Sequence, residues 1–368
     1  MPAARVPAFV AGGEFTVGVE DELMLVDGHG ELLGEHAVPL VRELRSRQAG
    51  PGVVVGEVYV DQVEVTSPVC RSGEEVLTSL TGLRSSLKAG GARILSAGVH
   101  PSAAFGGAVL SSSSRYDRIV DEFGGLLRTP TAAYQVHVGL PDEESLMLAY
   151  RGLRHRLPLL RALSAGSPFW HGRDSGHASA RSAIIRSYPR HGVPPLLRTW
   201  EEYVARTEAL LAAAEAPDHT YTWWDLRPRP LIGTLEVRVM DAVPSVSLAA
   251  GLAALVQGIA RRAVESPDVH DLSDDVVAVN DDRAARRGLE TRVVDVDQEL
   301  RPLREVGLRV IAEAREVLAP DGLDALLDAV EERLAGDPEP DRQRRMVAAE
   351  GMPALLADLV ARTSDPDG

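Results

Sequence analysis

Residues 233 to 242, GTLEVRVMDA, limit what this chain can fold into more than any other stretch. Successive side chains of a β-strand point to opposite faces. Leu235, Val237 and Val239 therefore share one side, and Thr234, Glu236 and Arg238 share the other. Such a strand needs a core against its first face. Its second face, with a carboxylate and a guanidinium two residues apart, is either washed by solvent or is the wall of a site. What the other strands put beside it decides between the two.

Three further stretches carry charge on β-rich sequence. EFTVGVEDELMLVD (14–27) alternates, placing Glu20 and Glu22 on one face and Asp21 on the other with Val19 and Leu23. VVVGEVYVDQVEV (53–65) reads as one strand, and the odd separation of Glu57 and Glu64 sends them to opposite faces unless a bulge or bend intervenes. AYQVHVG (133–139) turns Gln135 and His137 the same way between valines. Five glutamates, a histidine and a glutamine on the inward faces of apolar strands do not read as solvated surface. Buried charges pair or bind metal, and hard oxygen ligands select Mg2+ or Mn2+. Arg238 and Arg181 supply cations for the phosphate oxygens that such ions also bind. GxxxxGK[ST], GxGxxG and GxSxG patterns are all absent, which excludes P-loop, dinucleotide-fold and nucleophile-elbow readings.

A net charge of −15 over 368 residues argues against nucleic acid or an anionic membrane as the main partner. The single cysteine, Cys70, excludes an intrachain disulfide and a cysteine zinc site, and it suits a cytoplasmic protein. It reads as a small buried hydrophobe rather than a nucleophile. The first fifteen residues lack the apolar core of a signal peptide, and no apolar run of about 18 residues suggests a membrane span. Neither an internal repeat nor a linker divides the chain, so 1–368 reads as a single domain. Strands and helices mix over 14–245, and 246–368 is helical.

Helical spacing predicts 36–47, 72–91 (capped by Ser72), 143–165 and, after residue 245, helices near 246–265, 282–289, 298–317, 321–335, 340–349 and 353–363. Residues 92–101 read as a buried strand. The order predicts an α+β fold with a largely antiparallel sheet and helices packed on one side.

The motifs FTVGVEDEL, QVEVTSPVC, SAGVHP, RYDRI, YQVHVG, LSAGSPFWHGRDSGHASARS, WWDLRPRPLIGTLEVRVMDA, ARRGL and DRQR run in order from about residue 14 to 345. In this the chain resembles the type 2 glutamate–cysteine ligases, or carboxylate–amine ligases, of the glutamine synthetase superfamily. The resemblance implies a sheet forming an active-site funnel, and ATP-dependent amide formation, of γ-glutamyl type, through an acyl phosphate. It also implies small-molecule acid and amine substrates, and it leaves a homodimer open. Carried over by motif, Glu20, Glu22, Glu57, Glu64 and Glu236 would hold Mg2+, with Gln135 and His137 beside them. Arg238 would lie at the phosphates, Arg181 at the γ-phosphate or substrate carboxylate, and Glu57 would join them in catalysis. Two departures stand out. Asp21 replaces a family glutamate on the face away from the site. Gln135 stands where the family commonly has the first histidine of HVHVG, which puts the glutamate-plus-cysteine pairing in question.

Other residues read two ways. Trp223 and Trp224 are either core or a wall for adenine, with Trp224 assigned to the cofactor. Arg227 is expected to brace Asp225 and to contact ATP. His171, Arg173, Asp174 and His177, in the irregular stretch 166–196, are either polar surface or a substrate wall. Arg286, Arg342 and Arg344 read as surface ion pairs rather than a lid. The rivals to this ligase are a same-fold ligase for another acid or amine, and a non-catalytic nucleotide or metal sensor.

Overall fold

The alternation over residues 14–27 becomes strand β1 (Val17–Leu25), with Val17, Val19, Leu23 and Leu25 buried in the main core. The structure, a computed structural model, describes residues 6–46, 52–124, 127–267 and 270–365. Helix α1 (Ala37–Ser46) follows β1.

The run 53–65 is two strands, not one. β2 (Val53–Gly56) and β3 (Gln62–Thr66) form an antiparallel hairpin, and Glu57 lies in its loop. Reversal of the chain, rather than a bulge, resolves the parity of Glu57 and Glu64. Helix α2 (Gly73–Ala89) starts at Ser72, whose hydroxyl accepts the Glu75 N–H. The expected strand 92–101 shrinks to β4 (Ile94–Leu95), which pairs only with the end of β1. Helix α3 (Ser114–Phe123) precedes β5 (Ala133–Gly139), which is buried along its whole length.

The expected helix 143–165 is split into α4 (Glu143–Arg154) and α5 (Leu157–Ser164). Pro158 in the first turn of α5 lacks an N–H and disfavours helical backbone before it, which accounts for the break. Within the irregular stretch lie the short hairpin β6 (Phe169–Trp170) and β7 (Arg173–Asp174), helix α6 (Ala180–Ile185) and β8 (His191–Gly192). Helix α7 (Trp200–Ala213) then leads to β9 (Trp223–Trp224), β10 (Leu226–Arg229) and β11 (Thr234–Asp241).

The turn into β11 passes against the N-terminal segment. Gly233 has φ +62°, and a Cβ there would sit inside the backbone of residues 10–12.

The main sheet has seven strands, ordered β10-β11-β5-β1-β3-β2 with β4 beside β1, and every pair is antiparallel. Helix α8 (Val246–Glu265) is apolar nearly all round and buried, as a helix enclosed between layers must be. It packs on β5 and β1 and against α2, α4, α10 (Leu303–Leu318) and α11 (Leu327–Ala335). Between α8 and α10 lie α9 (Asp274–Arg287), which starts earlier than its pattern predicts because Ser273 caps it, and the hairpin β12 (Arg292–Val294) and β13 (Leu300–Pro302). α12 (Glu339–Glu350) and α13 (Met352–Ser364) close the chain. Among the described residues no helix is long and apolar enough to cross a membrane.

The helices cover one face of the sheet. On that face Asp21 is fully buried and accepts from Arg84 Nε at 3.0 Å, while the same guanidinium donates to the Val243 and Pro244 carbonyls. The other face holds the charges.

Candidate active site

Strand register brings the charged residues together. Glu22 stands opposite Glu64, Glu20 opposite Gln135, His137 opposite Glu236, and Glu236 opposite Arg227. Side chains directly opposite in an antiparallel pair lie within contact range, so the order β10-β11-β5-β1-β3 spreads one band of charge across the sheet. A cavity of about 310 Å³ opens over it. Its floor includes Glu20, Glu22, Glu57, Glu64, Gln135 and Arg238, and Arg181 at the start of α6 closes one side.

The band has two electrostatic halves. Glu236 is fully buried, which alone would raise its pKa, yet the guanidiniums of Arg227 and Arg238 hold it well below the usual carboxylate range. Arg227 forks onto it with Nε at 2.7 Å and Nη2 at 3.1 Å; Arg229 approaches at 3.3 Å and Arg238 also donates to it. Burial likewise opposes ionisation of Glu20, but the hydrogen bond and charge of His137, whose Nε2 lies 3.1 Å away, bring its pKa down.

Across the cavity the sign reverses. Burial first, then repulsion by Glu57, pushes Glu22 up to about 8 despite Arg181 and the Ala133 N–H. Burial raises Glu57, with Glu20 adding to it, and the Val58 N–H offsets this only in part. Glu64 is raised well above its ordinary value by burial and by the charges of Glu20, Glu57 and Glu22. These carboxylates lack enough cation on their side.

Gln135 joins the halves. Its amide donates to Glu22 Oε1 at 2.9 Å, and its carbonyl accepts from Arg238. Two guanidinium donors are unspent: the Nε atoms of Arg181 and Arg238 are buried without a hydrogen-bond partner. Orphaned N–H groups of this kind call for an acceptor, and both arginines line the cavity. The oxygen-rich, under-neutralised carboxylates on the other side suit a hard divalent cation. Glu20, His137 and Glu236 also offer ligand atoms all within 4.8 Å of one another.

Several expectations need correction. Arg227 does not brace Asp225. It is spent on Glu236 and on the carbonyls of Thr220 and Thr222, while Asp225 pairs with Arg161 at 3.0 Å. Trp224 is buried in the main core, and its neighbour Trp223, on the opposite face of the short strand, lines the cavity instead. His171, Arg173, Asp174 and His177 lie outside the cavity wall. His171 bonds to the Ala103 carbonyl, and Asp174 is held by Arg344 at 2.9 Å. By contrast, and as expected from the sequence, Arg286 pairs with Asp282 and Arg342 with Glu339 and Asp358, as ion pairs on the helices. Cys70 is buried, with its thiol near the Pro68 carbonyl.

Sequence reasoning missed Gln62, Tyr116, Tyr188 and His191, all of which line the cavity. Gln62 was within reach, since it sits two residues before Glu64 on the same face of β3. The others come from α3, from the turn after α6 and from β8, whose approach no local pattern announces.

Residues 16–356 match the family model described as glutamate-cysteine ligase family 2. The chain belongs to that family. A Rubrobacter xylanophilus protein provisionally named glutamate–cysteine ligase 2-3 is 34% identical over 97% of this chain and 99% of its own length. A Sorangium cellulosum protein provisionally named glutamate–cysteine ligase 2 is 31% identical over 96% and 97%. The fold matches the Francisella tularensis glutamate–cysteine ligase solved with AMP, with TM-score 0.71, 13% identity, and coverage of 96% of this chain and 89% of that one. It also matches the bifunctional glutathione synthetase of Pasteurella multocida, with TM-score 0.68, 15% identity, and coverage of 95% and 52%. The nine motifs thus mark a family relationship that spans nearly the whole chain.

Proposed function

We propose that the protein is an ATP- and Mg2+-dependent carboxylate–amine ligase, which forms an amide, γ-glutamyl in type, through an acyl phosphate. One observation carries the reading: a single cavity sets under-neutralised carboxylates against guanidiniums with unpartnered N–H groups. Phosphoryl transfer needs that combination, because its catalysis is mostly positioning and neutralisation of phosphate charge. The relatives' provisional names point the same way.

In this reading Glu20, Glu22, Glu57 and Glu64 hold Mg2+, with His137, Gln135 and Glu236 at its edge. Bound there, the metal would neutralise phosphate oxygens. A carboxylate oxygen of the acid bonds to the γ-phosphorus of ATP as the bond to the β–γ bridging oxygen breaks, and ADP leaves. The amine nitrogen then adds to the acyl carbon, phosphate departs with the C–O electron pair, and the nitrogen loses a proton. Arg181 and Arg238 orient and neutralise the oxygens on which charge accumulates. Arg227 keeps Glu236 ionised and in place rather than touching ATP. The aromatic and aliphatic side of the cavity, with Tyr116, Ile119, Phe123 and Trp223, suits the adenine ring.

The test is a matrix of amino acids and amines with ATP and Mg2+, read by ADP and phosphate release, with hydroxylamine added to trap the acyl phosphate as a hydroxamate. Stoichiometric ADP and a hydroxamate are expected. AMP with pyrophosphate, or no turnover with any pair, refutes the reading.

A further inference from the structure

His191 plays no part in the chemistry above, yet the fold takes trouble to present it. It sits in β8, which pairs parallel with β9 so that His191 lies opposite Trp223. The Arg190 carbonyl accepts the Trp223 N–H at 3.0 Å, and the Gly192 carbonyl accepts the Asp225 N–H at 2.8 Å. Both flanking residues have left-handed backbone, Arg190 at φ +66° and Gly192 at φ +124°. Glycine tolerates that conformation; a non-glycine residue such as Arg190 is strained by it, and strain of this kind persists only where surrounding structure enforces it.

The enforcement is visible. Arg190 forks onto Glu122 at 2.6 and 3.1 Å, donates to the Tyr221 carbonyl, and lies over the rings of Phe123 and Trp223. The result places the imidazole in the wall of the cavity that also holds Arg181 and Arg238.

Its Nδ1 is buried and lacks a hydrogen-bond partner. A histidine serving only as core is ordinarily satisfied by a backbone or side-chain partner. The strongest charge influences on His191 come from Asp225, Arg181, Arg238 and Arg161, while Glu20, Glu22, Glu57 and Glu64 line the same cavity. Burial, reinforced by those arginines against Asp225, holds the ring near 3, so it is neutral in ordinary buffers. A neutral imidazole offers one N–H donor and one acceptor, and in the wall shared with Arg181 and Arg238 its N–H suits an anionic oxygen.

We propose that His191 is a binding and specificity residue of the cavity, donating a hydrogen bond, beside Arg181, to an anionic oxygen of a bound reactant. That oxygen belongs either to the carboxylate of the acid or to a phosphate of ATP. The proposal rests on the ligase reading, and the experiment separates the two.

H191A, H191N and H191Q are compared with the parent on the acid–amine pair that the ADP screen selects. Loss of a hydrogen bond to a charged group is worth about tenfold to a hundredfold in binding. H191A is therefore expected to raise one KM by about that factor, with rescue by whichever amide variant, H191N or H191Q, restores the donor. A rise confined to the KM of the acid assigns the carboxylate; a rise confined to the KM of ATP assigns the phosphate. If neither KM moves by more than about twofold, the proposal is overturned whatever happens to kcat. Should the parent show no turnover, the ligase reading fails by itself, and His191 is read directly. Protein labelled with nitrogen-15 histidine is titrated with L-glutamate and, separately, with β,γ-imido-ATP plus Mg2+. Movement of the His191 ring nitrogens with either probe supports the contact, and silence with both overturns it.

Discussion

Replacing Glu64 by glutamine should stabilise the metal-free protein at pH 8. The native state holds Glu64 well above its ordinary value because it is buried among Glu20, Glu57 and Glu22. The unfolded chain releases that proton near 4.5, so the folded state binds more protons and its stability falls as pH rises above 4.5. Glu22 sets the scale. Moving a carboxyl from 4.5 to about 8 corresponds to a cost of about 5 kcal/mol once the group is ionised. These side chains line a cavity that admits solvent, so the gain expected from removing one charge is about 1–3 kcal/mol. Glutamine keeps an acceptor for the Thr66 hydroxyl and can donate to Glu57, so the substitution leaves no new orphan. Urea unfolding in chelator at pH 8 should show the gain, and at pH 4, where native Glu64 is protonated in the parent too, it should vanish. Mg2+ reverses the order. A ligand present at about 100 times its Kd stabilises by about 2.7 kcal/mol, and Glu64→Gln should forfeit most of that. The reasoning is refuted if the variant is the less stable protein at pH 8 without metal, or if its response to Mg2+ equals the parent's.

Glu236→Gln should do the opposite, costing about 3 kcal/mol or more at pH 7 by urea unfolding, because it leaves buried Arg227 without its anion; equal stability would remove Glu236 from the clamp. Since the folded pKa of Glu236 is depressed, its contribution is present above about pH 4.5 and is lost as the pH falls further. Arg238→Lys should lower turnover about a hundredfold, since a compact ammonium does not reproduce the planar fork that reaches Glu236 and Gln135 and leaves Nε free; near-parental ADP release would place the phosphates elsewhere. Gln135→His should change the ratio of Mg2+- to Mn2+-supported activity, because it replaces the amide that bridges Glu22 and Arg238 with an imidazole that is itself a metal ligand. Identical kinetics with both metals would show that the bridge does not matter.

The site was legible where strand parity governs it. The period of two assigned Glu20, Glu22, Gln135, His137, Glu236 and Arg238 to one face before any register was known, and it put Asp21 on the other, where Arg84 meets it. Helix caps such as Ser72 were equally local and equally readable. Parity failed between Glu57 and Glu64 because a continuous β-rich run conceals a turn without an Asn-Gly or Asp-Gly signal. Partner choice also lay beyond local reading. Arg227 is nearer Asp225 in sequence, but Asp225 sits at the bend between β9 and β10, whereas the antiparallel register puts Glu236 directly across from Arg227. His191 needed tertiary structure altogether, since the strand β9 that orients it is thirty-odd residues away.

The two halves of the cavity explain why its sheet must be antiparallel and tightly registered. Glu236 alone has more cation than it needs, with three arginines around one carboxylate. Glu22, Glu57 and Glu64 have less than they need. Mixing the two sets would neutralise both and leave an ordinary buried ion-pair network with no demand for a ligand. β5 keeps them apart: it lies between β11 and β1, and the single neutral amide of Gln135 links Glu22 to Arg238 without transferring charge. A slip of one residue in β5 would turn Gln135 and His137 into the core and leave the two sets facing each other across a gap. The unneutralised charge on each side is therefore a consequence of register. It makes the apo protein less stable than it could be, and it provides the free energy with which a cation and an anionic oxygen can be bound side by side.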